Sequence, residues 1–128
     1  MSATQPTLLL LEDNPLNQKL LVRFFGRKGF EVQVADCTSA AEALLATLQP
    51  VLVLVDVSLP GEDGLSFVRR MRADGRLPMP VVAVTAHAMS GDCDRALEAG
   101  CDAYLSKPLD LPLLADTVGA LLAAKVVA

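Results

Sequence analysis

Asp56 follows an unbroken aliphatic run, VLVLV at residues 51–55, within the stretch VLVLVDVSLP. A run of that length reads as a strand buried on both faces, as the central strands of a parallel sheet are. An ionised carboxylate is costly in such surroundings unless a cation or several donors meet it. Asp56 is therefore expected at the carboxyl end of the strand, where the backbone leaves the sheet. Pro60 and Gly61 follow closely, so an aspartate that merely opens a turn is the competing reading. Three other short apolar runs also end in polar residues. Leucines at 8–11 lead into Glu12 and Asp13, residues 81–84 into Thr85, and residues 103–105 toward Lys107.

Three carboxylates brought into one small volume repel and raise each other's pKa unless a multivalent cation neutralises them. Oxygen ligands without nearby histidine or cysteine favour a hard cation, most simply Mg²⁺, with Mn²⁺ as an alternative. Lys107 would add an ammonium suited to phosphate, and Thr85 a hydroxyl donor. Such a site is complementary to a phosphoryl group moving onto Asp56, with the carboxylate as nucleophile. Taken singly, each residue has an ordinary role: a solvated acidic pair, a strand-end hydroxyl, a surface cation. Their joint placement at four strand ends carries the functional reading.

The elements that must position these residues alternate along the chain. After the first run, Asn14 and Pro15 supply an N-cap and a proline at the first helical position. Leu16, Leu20, Leu21, Phe24 and Phe25 recur at helical spacing until Gly26 and Gly29. Residues 31–35 alternate polar with apolar, which predicts a second strand nearer the sheet edge. Ser39 and Glu42 form a capping-box pattern for a helix running to about Leu48. The run at 51–55 is the third strand, and a helix over residues 64–73 buries Leu65, Val68 and Met71. Residues 81–84 are the fourth strand, 89–99 a helix stopped by Gly100, and 103–105 a short fifth strand. Asp110 can cap a last helix that turns Leu114, Val118, Leu121 and Leu122 inward. Each parallel crossover needs a helix, so the fold expected is α/β: a doubly wound parallel sheet with helices on both faces. Sites in such sheets form beyond the carboxyl ends of the strands.

Bulk properties narrow the class further. The 128 residues predict a single domain over 1–128, with flexible ends at 1–6 and 125–128. A composition 52% hydrophobic but 4% aromatic favours helices packed on a parallel sheet. A net charge of −4 argues against direct binding to nucleic acid. Arg69, Arg70, Arg72 and Arg76 cluster, and are expected to form a solvated helical face. Cys37, Cys93 and Cys101 contain no CxxC pair, and with His87 as the sole histidine they predict reduced thiols and a cytoplasmic protein. Neither a secretion signal nor a membrane-spanning run is expected. The tail from Lys125 is compatible with a natural end or with a cut inside a longer protein.

The pieces LLLLEDNPLNQKLL, VLVLVDVSLPGEDGL, VVAVTAHAM and DAYLSKPL, in that order and spacing, resemble a receiver domain of the two-component response regulator family. The likeness covers nearly the whole chain and is nearest to receivers of hybrid histidine kinases and stand-alone cell-cycle regulators. It implies a flavodoxin-like (βα)5 fold with strand order 2-1-3-4-5. It also implies that Asp56 is the phosphoacceptor, loaded from a phosphohistidine on a sensor histidine kinase or a histidine phosphotransfer protein. Glu12, Asp13, Asp56 and the backbone carbonyl of Ser58 would hold Mg²⁺. Lys107 would bind a phosphoryl oxygen, Lys107–Pro108 would be a cis peptide, and Thr85 and Tyr104 would move together as a switch. Ala86 would offer its backbone amide and leave room for phosphate. Ser58 and His87 match positions that tune how fast the acyl phosphate is lost.

The function so implied is a phosphorylation-activated switch, not a classical enzyme, in which modification of Asp56 changes the face built by the fourth helix, fifth strand and fifth helix. A downstream protein target would read that face, with the domain itself a monomer or weak homodimer away from nucleic acid and membrane. The alternatives are a phosphorylation-independent interaction module and a receiver fragment of a hybrid histidine kinase. An aspartyl phosphatase of the haloacid-dehalogenase type would need a second acid where Ser58 stands. A flavodoxin-like cofactor binder would need a glycine- or hydroxyl-rich loop where Glu12 and Asp13 stand.

Overall fold

The computed structural model describes residues 5–59, 61–85 and 92–127. In them strands and helices alternate: β1 (Thr7–Leu11), α1 (Pro15–Gly26), β2 (Glu31–Ala35), α2 (Thr38–Leu45), β3 (Leu52–Asp56), α3 (Gly64–Ala73), β4 (Val81–Thr85), α4 (Asp92–Ala99), β5 (Ala103–Ser106) and α5 (Leu111–Val127). All strand pairs are parallel, and the sheet order is β2-β1-β3-β4-β5. This is the doubly wound topology expected, with the alternating strand β2 at an edge.

Side chains alternate across a strand, so a central strand covered on both faces must be apolar at every position. Leu8, Leu10, Leu52, Leu54 and Val82 face Leu21 and Phe25 of α1 and Leu114 and Val118 of α5. Leu9, Leu11, Val53, Val55, Val81 and Ala83 face Phe67, Val68 and Met71 of α3 and Ala96 and Ala99 of α4. Each large aliphatic side chain buried in these layers contributes about 1.5–3 kcal/mol. A polar residue interrupts the pattern only where a strand leaves the sheet.

Helix α1 starts as expected: the Asn14 side chain accepts from the backbone N–H groups of Leu16 and Asn17, and Pro15 occupies the first turn. Asp110 caps α5 by accepting from Leu113 N–H at 3.1 Å. Helix α2 departs from expectation. Its N-cap is Cys37, with no capping hydrogen bond from that side chain, and it ends at Leu45. The Ser39–Glu42 capping box does not form, because the Glu42 carboxylate instead meets Arg70 at 2.9 Å and Arg76 at 2.8 Å. Two guanidinium partners outcompete one backbone N–H.

Of the arginine cluster, Arg69, Arg70 and Arg76 are exposed as a solvated face requires, whereas Arg72 is half-buried, and three of the four also tie elements together. Arg70 bridges Glu42 and Glu62. Arg72 donates to the carbonyls of Gly100, Leu77 and Met79 and to the Asp102 carboxylate. Gly100 has φ +112, and a Cβ there would lie 2.9 Å from Cγ of Arg72. Glycine thus ends α4 and lets the Arg72 stem pass. The described part of α4 begins at Asp92, so the expected start near Met89 falls outside the described residues.

Candidate functional site

Strand register brings the polar residues to one edge of the sheet. Leu11 pairs with both Ala35 and Val55, Asp56 with Val84, and Thr85 with Ser106. Glu12, Asp13, Asp56, Thr85 and Lys107 consequently all leave the sheet at its carboxyl end. Glu12 is 2% exposed, Asp56 5% and Thr85 3%, a concentration of buried polar groups at one end of an otherwise apolar core. Asp13 is exposed. One carboxylate oxygen each from Glu12, Asp13 and Asp56 lies within 4.8 Å of the others.

Each buried carboxylate has defined donors. Asp56 Oδ1 accepts from Ser58 N–H at 2.9 Å, and Oδ2 accepts from Lys107 Nζ at 3.0 Å. The same ammonium reaches Glu12 Oε1 at 3.4 Å. Glu12 Oε2 accepts from Asn14 N–H at 3.1 Å, while the Glu12 carbonyl accepts from Gln18 Nε2 at 2.6 Å. Lys107 N–H donates to the Thr85 carbonyl at 2.7 Å, which fixes the root of the lysine against β4. The Lys107–Pro108 peptide is cis.

Burial pushes the Glu12 carboxyl above its ordinary value, and the nearby Asp56 charge adds to that, against the Asn14 N–H bond and the Lys107 charge. Burial works against the Lys107 ammonium, but its bond to Asp56 and the charges of Asp56 and Glu12 outweigh it and raise its pKa. One lysine is shared between two buried acids. A divalent cation would supply the positive charge that Lys107 alone provides here, and an all-oxygen donor set suits a hard one.

Gly64 contributes to the site without touching it chemically. A Cβ at Gly64 would lie 2.5 Å from the Asp56 carbonyl oxygen and 2.8 Å from Val55 Cγ1. Only glycine lets α3 begin that close to the end of β3. Asp63 caps that helix, its Oδ1 accepting from Leu65 N–H at 2.9 Å.

Of the residues singled out in the sequence, Glu12, Asp13, Asp56, Thr85 and Lys107 converge. Ser58 is exposed and engages Asp56 through its N–H. Tyr104 is half-buried and packs against the α3–α4 side of the core. Ala86 and His87 lie outside the described residues. Gly64 and Gln18 were not singled out. The Asp63-Gly64 pair, with glycine just inside a helix start, was a readable signal; a glutamine in an amphipathic helix was not. A cleft of about 800 Å³ opens at the opposite, amino end of the strands, lined largely by Leu45, Leu48, Pro50, Pro78 and Met79. It is remote from the acids.

A parallel sheet of this order with acids, threonine and lysine at its carboxyl end is the arrangement of a two-component signalling domain. The chain belongs to the response regulator receiver domain family, whose sequence profile matches residues 8–119. Among characterised relatives it is similar to the polar-differentiation response regulator DivK of Brucella ovis. The two are 36% identical over 113 residues, covering 88% of this chain and 92% of the relative. The activated receiver domain of Klebsiella pneumoniae RstA superposes with a TM-score of 0.84 at 28% identity, over 91% of this chain and 97% of that one. The Francisella response regulator 1452 receiver domain shares the fold, with a TM-score of 0.88 at 24% identity over 94% and 98% of the two chains. Receiver domains are phosphorylation-switched signalling domains that bind Mg²⁺ at an acidic pocket and work with histidine kinases or phosphotransfer proteins. No helix among the described residues is long and apolar enough to cross a membrane.

Proposed function

We propose that this domain accepts a phosphoryl group on Asp56 from a phosphohistidine of a sensor kinase or phosphotransfer protein, in the cytoplasm. The observation that carries the proposal is the sharing of one ammonium, Lys107, between buried Asp56 and Glu12, beside exposed Asp13. Glu12, Asp13, Asp56 and the Ser58 carbonyl would hold Mg²⁺, or Mn²⁺ in its place. When bound, the cation neutralises the acids and the incoming phosphoryl oxygens.

Asp56 attacks phosphorus through a carboxylate oxygen. The new O–P bond forms as the N–P bond of the phosphohistidine breaks, and its electron pair returns to the imidazole. Lys107 exchanges its contact with Asp56 Oδ2 for a phosphoryl oxygen, and the Thr85 hydroxyl donates to another. The Ala86 amide serves the third. Thr85 and Tyr104 move together and alter the α4-β5-α5 face read by a downstream protein. Water later attacks the phosphorus as the Asp56 O–P bond breaks, which restores the carboxylate and releases inorganic phosphate; Ser58 and His87 tune its access. The domain spans 1–128 and acts as a monomer or weak homodimer.

Intact-mass measurement after incubation with acetyl phosphate and Mg²⁺ tests the proposal. One phosphoryl group is expected on the wild type, none with chelator and none on Asp56→Asn. An unmodified wild type would instead support a phosphorylation-independent interaction module.

A further inference from the structure

The weakest-held ligand of the acidic trio is Asp13. It is exposed, and no side-chain hydrogen bond among the described residues fixes it. Its aim depends on the backbone that precedes it. The Glu12 carbonyl is half of the planar peptide unit that joins Glu12 to Asp13. Gln18 Nε2 donates to that oxygen at 2.6 Å, reaching back six residues from the second turn of α1. The plane is thereby pinned, leaving the Asp13 φ and side-chain rotamer as the freedom between it and the carboxylate. The other side of Asp13 is also fixed, since Asn14 caps α1 and its N–H holds Glu12 Oε2.

Gln18 has no other hydrogen-bonding task among the described contacts of its side chain, and a half-buried amide in an amphipathic helix needs a reason. We infer that Gln18 is a positioning residue for cation binding: it aims Asp13 by holding the Glu12–Asp13 peptide plane. The inference rests on the cation site proposed above. Pre-fixing a ligand lowers the ordering cost of binding, and outer partners of metal ligands typically contribute about tenfold or more in affinity.

The test is a double-mutant cycle read by Mn²⁺ binding to the unphosphorylated protein, using electron paramagnetic resonance of free Mn²⁺. Gln18→Met keeps helix propensity and volume but removes the donor; Gln18→Ala serves as a second variant. Either is expected to weaken Mn²⁺ binding by about tenfold in the wild-type background. In an Asp13→Asn background the same change is expected to cost nothing further, because there is no carboxylate left to aim. Thermal melting without cation identifies any variant that fails to fold, and the other variant then carries the cycle. Equal losses in both backgrounds, or no loss in either, overturn the inference while leaving the cation site intact. A wild type that does not bind Mn²⁺ overturns the cation site itself.

Discussion

The Lys107 ammonium lies 3.0 Å from Asp56 Oδ2 and 3.4 Å from Glu12 Oε1, so one flexible side chain counters both buried carboxylates of the site. Any group that binds there must share or displace that contact. A phosphoryl group brings oxygens that can take the lysine over; a bare cation brings only repulsion for it.

Lys107→Ala should therefore bind divalent cation more tightly than the wild type, by roughly tenfold or more at low salt, since a repelling charge a few ångströms away is gone. Mn²⁺ titration of the unphosphorylated variant checks this. The same variant should melt lower than the wild type in chelator, because two buried acids have lost their partner, and should recover in excess Mg²⁺. Weaker binding would mean that Lys107 organises the acids rather than competing with the ion.

Gly64→Ala should destabilise the domain by about 1–3 kcal/mol, the usual cost of forcing extra atoms into a packed site. The added methyl would meet the Asp56 carbonyl at 2.5 Å, so α3 or the end of β3 must shift. Urea unfolding measures the cost. Phosphoryl incorporation should fall as well, whereas Gly119→Ala, in the exposed interior of α5 with nothing within 4 Å, should stabilise the fold by about 0.5–1 kcal/mol and leave incorporation unchanged.

Arg72→Ala should cost about 1.5–3 kcal/mol, in line with loss of hydrogen bonds from a charged donor. Its guanidinium ties α3 to Gly100, Asp102 and the turn before β4, and Asp102 in turn accepts from Val81 N–H at 2.8 Å. The exposed neighbour Arg69 is the control: Arg69→Ala should change stability by no more than about 0.5 kcal/mol. Equal effects of the two would place Arg72 in solvent.

Acid should weaken the link between α2 and α3. Arg76 and Arg70 hold the Glu42 carboxyl below its ordinary value, and Arg70 does the same for Glu62. Both acids have depressed folded-state pKa values, so their contribution is present above about pH 4.5 and is lost as pH falls through the lowered values. Both carboxyls are half-buried at the surface beside exposed guanidinium groups, so the effect is small and screened by salt. The double variant Glu42→Gln/Glu62→Gln should flatten the acid limb of a melting-temperature profile at low salt and leave it unchanged at high salt.

What could be read beforehand follows from where each constraint is local. The strands were legible because burial on two faces demands an apolar residue at every position, as in 51–55. The site was legible because Asp56, Thr85 and the acids each break such a run at its carboxyl end. The capping box misled because Glu42 had partners far away in sequence, Arg70 and Arg76, which no local pattern announces. Arg72 was misjudged for the same reason, since its acceptors lie before β4 and between α4 and β5. Gln18 was silent because its bond runs to a backbone oxygen, a partner that carries no sequence signature.

Whether the phosphoryl group sits on the Asp56 carboxylate is decided by trapping the modification chemically. The protein is treated with acetyl phosphate and Mg²⁺, reduced with borohydride, digested and sequenced by mass spectrometry. Reduction cleaves an aspartyl phosphate to homoserine, so homoserine at position 56 and at no other aspartate is the result expected. Homoserine at Asp13, or phosphate retained on a serine or threonine with Asp56 intact, would contradict it.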